Sequence, residues 1–153
     1  MSRRPVVVVA LLAVVAAGAV PAHAAKAKKP KPIKGSYTLN LPPDPSGEAL
    51  GALKDGCAGI NPASQNKHPF TVPAAGTLRV VLDSTDVTHN STVNADWDLY
   101  ILDADGVIED SSHSPTPHEE TTDKFKRKAP LTFWVCNLLG APTAKVTYTF
   151  TYA

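Results

Sequence analysis

The chain has 153 residues, 43% of them apolar, and 15 Lys and Arg against 14 Asp and Glu give a net charge of +1. One domain of ordinary size fits that length, and a two-lobed enzyme with separate cofactor and substrate domains does not. After position 24 the chain holds 14 Thr and 12 Pro; β-branched side chains lose χ1 freedom in helices and Pro lacks a backbone donor, so an all-β domain is expected.

Residues 1 to 24 read as an export signal. Arg3 and Arg4 give a positive start, Val6 to Val20 is an apolar run, and Ala22-His23-Ala24 offers small residues where a signal peptidase cuts, which places cleavage after Ala24. As a helix that run rises only about 22 Å, short of the roughly 30 Å hydrocarbon core, so no transmembrane anchor is expected after processing. Ser2-Arg3-Arg4 partly matches a twin-arginine signal, but Pro5-Val6-Val7 lacks the aromatic and Leu of such signals. With no Cys beside the cleavage region, a lipid anchor has no support either. Residues 25 to 35 carry Lys26, Lys28, Lys29, Lys31 and Lys34 among Ala and Pro, and are expected to form an extended, disordered basic tail. Such a tail either contacts anionic cell-wall polymers, lipid headgroups or nucleic acid, or only solvates a terminus. Residues 36 to 153, the expected domain, hold eight Lys and Arg against all 14 Asp and Glu.

Within that domain the signal is period two. Tyr37 to Leu41 alternates until Pro42-Pro43 stops it, and Ser46 to Lys54 is the only helical candidate, limited to a turn or two by Gly47 and Gly51. Lys67 to Val72 is a weaker strand, and Thr77 to Leu82 a clear one after the turn at Ala74-Ala75-Gly76. Asp96 to Asp103 places Trp97, Leu99 and Ile101 on one face and Asp98, Tyr100 and Leu102 on the other, and Asp105-Gly106 turns it into a second strand at Val107-Ile108. Glu119 to Phe125 reads as a polar edge strand, Leu131 to Cys136 as a central strand apolar on both faces, and Lys145 to Tyr152 as a cleanly alternating last strand. About eight strands without βαβ alternation predict two antiparallel sheets packed face to face.

Cys57 and Cys136 are the only cysteines. In an exported chain they most simply form one bridge, whose loop of about 80 residues is worth roughly 4 to 5 kcal/mol in the chain-entropy view; two buried free thiols are the alternative.

The segment Asn94-Ala95-Asp96-Trp97-Asp98-Leu99-Tyr100-Ile101-Leu102-Asp103-Ala104-Asp105-Gly106, with its D-x-D-L-Y-x-x-D-x-D-G pattern, resembles the most distinctive hairpin of the bacterial pre-peptidase C-terminal domain. More loosely the resemblance runs from Pro69 to Tyr152. It implies a jelly-roll-like sandwich that accompanies a secreted protease or other hydrolase and aids secretion, localisation or substrate binding, with calcium bound in some relatives. Two departures stand out: no catalytic domain precedes the segment in these residues, and the Cys57 and Cys136 pair is not part of the family pattern.

Asn94, Asp96 and Asp98 are spaced by two, so on a strand they share a face about 6 to 7 Å apart, and Asp103 with Asp105 approaches from the strand end. Carboxylate and amide oxygens of this kind suit calcium, although Asp and Asn equally cap strands and start turns. His113 and His118, with Glu119 and Glu120, are the alternative metal set, in a loop that two prolines hold extended. His68 and His89 have no partner that the sequence reveals. There is no G-x-S-x-G elbow and no phosphate-binding Gly-rich loop, and Asn90-Ser91-Thr92 is read as polar loop despite its acceptor pattern. Tyr100 and Trp134 are the aromatic candidates for holding a sugar ring or peptide, unless the Pro42 to Asn66 loop, tethered by a Cys57 to Cys136 bridge, covers Trp134. Together these features predict a secreted, monomeric, non-catalytic binding or accessory module for an extracellular polysaccharide or protein, without nucleic acid. A small metal-dependent hydrolase using the His113 to Glu120 loop and a structural envelope protein are the competing classes.

Overall fold

A computed structural model describes residues 28–45, 56–84 and 95–153. The export segment, the helical candidate Ser46 to Lys54, His89, the Asn90-Ser91-Thr92 triplet and Asn94 lie outside the described residues. Among the described residues there are eight strands: β1 (Ile33–Asn40), β2 (Gln65–Val72), β3 (Gly76–Ser84), β4 (Asp96–Leu102), β5 (Ile108–Ser112), β6 (His118–Phe125), β7 (Ala129–Leu139) and β8 (Thr143–Tyr152). They form two antiparallel four-stranded sheets, one ordered β1-β8-β3-β6 and the other β2-β7-β4-β5. The expected sandwich is what the chain forms. Among the described residues no helix is long and apolar enough to cross a membrane.

Alternation decides which side chains meet between the sheets. Leu78, Val80 and Leu82 of β3, Val146 and Phe150 of β8, Trp97, Leu99 and Ile101 of β4, and Leu131, Phe133 and Val135 of β7 share one buried cluster. β7 and β4 are the inner strands of their sheet, and β7, with the Tyr100 and Leu102 end of β4, is apolar on the second face too. There Tyr100, Leu102, Trp134, Cys136 and Leu138 form a second cluster with Cys57. Cys57 and Cys136 are joined, with Cα atoms 5.9 Å apart and a sequence separation of 79. The bridge ties the segment around Gly56 to Ile60 onto the outer face of the sheet. Gly56 adopts φ 65°, and a Cβ there would lie 2.8 Å from the Trp134 ring, so only glycine lets the segment descend onto the indole.

The start of the first strand differs from the sequence reading. β1 begins at Ile33, inside the segment expected to be disordered tail, because its pairing with β8 runs on to Ile33 opposite Phe150. Gly35 permits this: any Cβ would strike the Tyr148 hydroxyl and ring, which lie over its α-carbon. β6 is the edge of its sheet as expected, and its other flank is closed by packing against β5.

Candidate functional site

The register sorts the chemistry-bearing residues onto two poles. Asp96 opposes Leu139 at the end of β7, whereas Leu102 opposes Thr132 near its start. β4 therefore runs from a pole where β5 ends and β6 begins to a pole that carries the β4–β5 and β6–β7 turns.

At the first pole Asp98 is 1% exposed and Glu119 0% exposed, with Asp96 also buried. The Tyr100 hydroxyl donates to Asp98 Oδ2 at 2.8 Å. Burial pushes the Asp98 carboxyl up to about 6, with the Asp96 and Glu119 charges adding to the rise while the Tyr100 bond and His113 oppose it. Asp96 is raised by burial and then by Glu119. Tyr100 is likewise raised, by burial first and then by its bond to the carboxylate. Glu119 collects donors from the end of β5 and the β5–β6 loop: the Ser112 hydroxyl, the Ser114 amide at 3.1 Å, the Ser114 hydroxyl at 2.6 Å and the Thr116 hydroxyl at 3.3 Å.

The expected calcium set does not assemble as written. Asp103 is five residues beyond Asp98, about 16 Å along an extended strand. Its Oδ1 accepts from the backbone amides of Asp105 and Val107, both at 2.8 Å, so it shapes the β4–β5 turn at the opposite pole. Asp96 and Asp98 do share one face, and Asn94 lies outside the described residues. Among those residues no trio of His, Cys, Asp or Glu stands where it would hold a metal ion.

The His113 to Glu120 loop does not converge either. His118 leaves on the outer face, where its Nδ1 meets Asp83 Oδ1 at 2.6 Å. Glu120 forms a two-pronged pair with Arg79 at 2.6 and 2.5 Å, which holds its carboxyl below the usual range. His113 stacks toward Tyr100 with ring centroids 6.3 Å apart. Alternation along β6 sends His118 and Glu120 outward and Glu119 inward, so the four residues serve separate partners.

Tyr100 and Trp134 are not a stacking platform: they are 1% and 9% exposed. The Cys57 segment lies over them, the Trp134 Nε1 donates to Gln65 Oε1 at 2.8 Å, and Lys67 Nζ sits 4.3 Å from the indole centroid. Their exposed-ligand role gives way to the covering loop that was its alternative.

Among the described residues, open space lies at the second pole. A cleft of about 630 Å³ lies between the β4–β5 turn and the β6–β7 turn, with Phe125, Pro130 and Leu131 as its apolar wall and Lys126, Arg127 and Lys128 at its lip. A second hollow of about 340 Å³ shares Asp103, Ala104, Pro130 and Leu131 with it and reaches Pro69, Phe70 and Thr71 on β2.

No protein-family model matches the chain, and no curated protein matches it. Among solved structures it is similar to the pre-peptidase C-terminal domain of a collagenase from Bacillus anthracis, with TM-score 0.45 and 12% identity over 77% of this chain and 87% of that one. It is also similar to the Yersinia pseudotuberculosis-derived mitogen, with TM-score 0.33 and 16% identity over 58% of this chain and 86% of that one.

Sequence reasoning misses two things here. Glu119 reads as an edge-strand charge, yet it is the most enclosed acid; the signal is its inward parity on β6 together with Ser112, Ser114 and Thr116 within reach. The Lys126-Arg127-Lys128 turn does not stand out, because a charge run between strands reads as a solvated hairpin.

Proposed function

We propose that this chain is an exported, non-catalytic accessory module that binds an extracellular polymer or protein through the cleft between its β4–β5 and β6–β7 turns. One observation carries the reading: among the described residues Asp98, His118, Glu119 and Glu120 are each held in structural bonds of the fold, whereas the cleft is open and its basic lip has no carboxylate partner. Glu119 is enclosed by hydroxyl and amide donors, Asp98 by Tyr100, and His118 and Glu120 by Asp83 and Arg79. A recognition surface needs only a few rigidly held polar and apolar groups, and short turns on a stapled sandwich supply them. The apolar run at Val6 to Val20 and the small residues at Ala22 and Ala24 support export, and the Cys57–Cys136 bridge suits an oxidising compartment.

The test has two arms. Protein recovered from the culture medium should begin at Ala25 by intact mass and should bind a cell-envelope fraction saturably. It should turn over no peptide, ester or glycoside substrate. Hydrolysis that disappears in His113→Ala or His118→Ala, with the domain still folded, would make the metal-dependent hydrolase the correct class. Retention of residues 1 to 24 would refute export by this signal.

A further inference from the structure

We infer that the cleft pole binds a linear polymer carrying phosphate or sulfate esters; this rests on the binding-module reading and names the ligand chemistry of that site. Residues 36 to 153 are acidic, yet half of their eight Lys and Arg fall within Lys124, Lys126, Arg127 and Lys128. All four are exposed. Among the described residues the ion pairs are Arg79–Glu120 and His118–Asp83, so none of these four cations has a carboxylate partner. A cluster of unpaired cations in an otherwise acidic domain repels itself, and a bound polyanion relieves that repulsion.

The register brings a second basic segment to the same place. Ile33 opposes Phe150, Phe150 opposes Leu78, and Leu78 opposes Asp123. The chain from Lys28 to Lys34 therefore enters β1 at the end of the sheet where Lys124 stands. Three strand spacings of about 4.8 Å put the two basic segments roughly 14 Å apart. The described cations outside this pole are Lys67, Arg79 and Lys145.

Carboxylates line the cleft as well, and they shape which anion fits. Asp103 Oδ1 is occupied by two backbone amides of its own turn, and Asp123 Oδ1 accepts from the Lys124 amide at 2.6 Å. Glu109 completes the acidic wall. A compact polyanion would meet these groups together with the lysines. A chain with esters spaced along a neutral backbone can set its charges against the basic lip and run its neutral stretches past Ala104, Pro130 and Leu131 toward Phe70. The shared lining of the two hollows provides that path. Nucleic acid fits less well, since Phe70 and Phe125 pack against the core and leave no free ring for a base. A bilayer fits less well too: Val107 and Ile33 are the large apolar side chains exposed at this pole, and Asp103, Asp105 and Glu109 would face the anionic headgroups.

Binding of the exported protein to dextran sulfate and to poly(glycerol phosphate) tests the inference, with neutral dextran, phosphatidylglycerol–phosphatidylcholine vesicles and single-stranded DNA alongside. Saturable binding to at least one ester polymer, weakening with salt, is expected, and the two polymers separate sulfate from phosphate as the source. The combined Lys126→Ala, Arg127→Ala and Lys128→Ala variant should bind roughly 100-fold more weakly at low salt, about fivefold per cation near an anionic surface, with an unchanged melting temperature. Lys145→Ala, at the opposite pole, should bind as the parent does. Equal binding to neutral dextran, an unaffected triple variant, or a loss seen only when Lys28, Lys29 and Lys31 are replaced would each overturn the inference. So would preference for vesicles or DNA. Capture of another envelope component without polyanion binding would overturn it while leaving the module reading intact; substrate turnover would remove that reading instead.

Discussion

Replacing Asp98 by Asn should stabilise the protein at neutral pH and leave it nearly unchanged in acid. The folded protein holds this carboxyl near 6, against 3.8 for the free group. Between those values the folded state keeps a proton that the unfolded chain has released, so stability falls as pH rises through roughly 4 to 6 and is level on either side. The difference corresponds to about 3 kcal/mol against the folded state once the group is ionised in both states. The amide of the Asp98→Asn variant carries no charge, and its carbonyl can still accept the Tyr100 hydroxyl that now lies 2.8 Å from Asp98 Oδ2. Thermal melts of parent and Asp98→Asn in chelator, from pH 4 to pH 8, should therefore diverge with rising pH and reach roughly 10 °C at pH 7.5. Asp96 and Glu120, present in both proteins, contribute to each melting curve but largely cancel in the comparison. An equal effect of the substitution at every pH, or a variant less stable at pH 7.5 than at pH 4 relative to the parent, would refute burial as the cause of the raised carboxyl.

Other expectations follow from the same geometry. Cys57 and Cys136 should resist thiol reagents until reduced, and Cys57→Ser with Cys136→Ser should lose about 4 kcal/mol in denaturant titration for a loop of this length. Gly56→Ala should destabilise by about 1 to 3 kcal/mol, since the left-handed backbone and the Trp134 ring both oppose a methyl group; tryptophan fluorescence would report the displaced indole. For calcium, the expectation narrows to Asp96 and Asp98: millimolar calcium should raise the melting temperature, Asp98→Asn should abolish the rise, and Asp103→Ala should retain it. A melting temperature indifferent to calcium and chelator would leave both carboxylates with structural roles alone.

The strands are legible wherever one face is buried, because period-two alternation then writes itself into the chain. β3 and β8 show this, with Leu78, Val80, Leu82 and Val146, Tyr148, Phe150 at alternate positions. β7 is legible for a different reason: its apolar stretch from Phe133 to Cys136 requires cover on both faces, which the second cluster around the disulfide provides. The start of β1 is not legible. Lys31, Pro32 and Lys34 look like tail, and only the pairing of Ile33 with the distant Phe150 makes that stretch a strand.

The candidate site is legible only in part, because spacing along a strand reports which residues share a face and not which pole they reach. Asp98 and Asp103 belong to one motif by sequence, yet the length of β4 sends them to opposite ends of the sandwich. Glu119, well beyond Asp98 in sequence, joins the first pole because β5 and β6 fold back beside the start of β4. The consequence is a division of labour along the strand axis. Hydroxyl donors and burial at one pole immobilise the acids and stabilise the closure of the β5–β6 loop. Short turns at the other pole leave the lysines and arginine unpaired around open space. Substitutions at the two poles should therefore separate, with changes at Asp98 and Glu119 acting on stability and its pH dependence, and changes at Lys126, Arg127 and Lys128 acting on association while the melting curve stays in place.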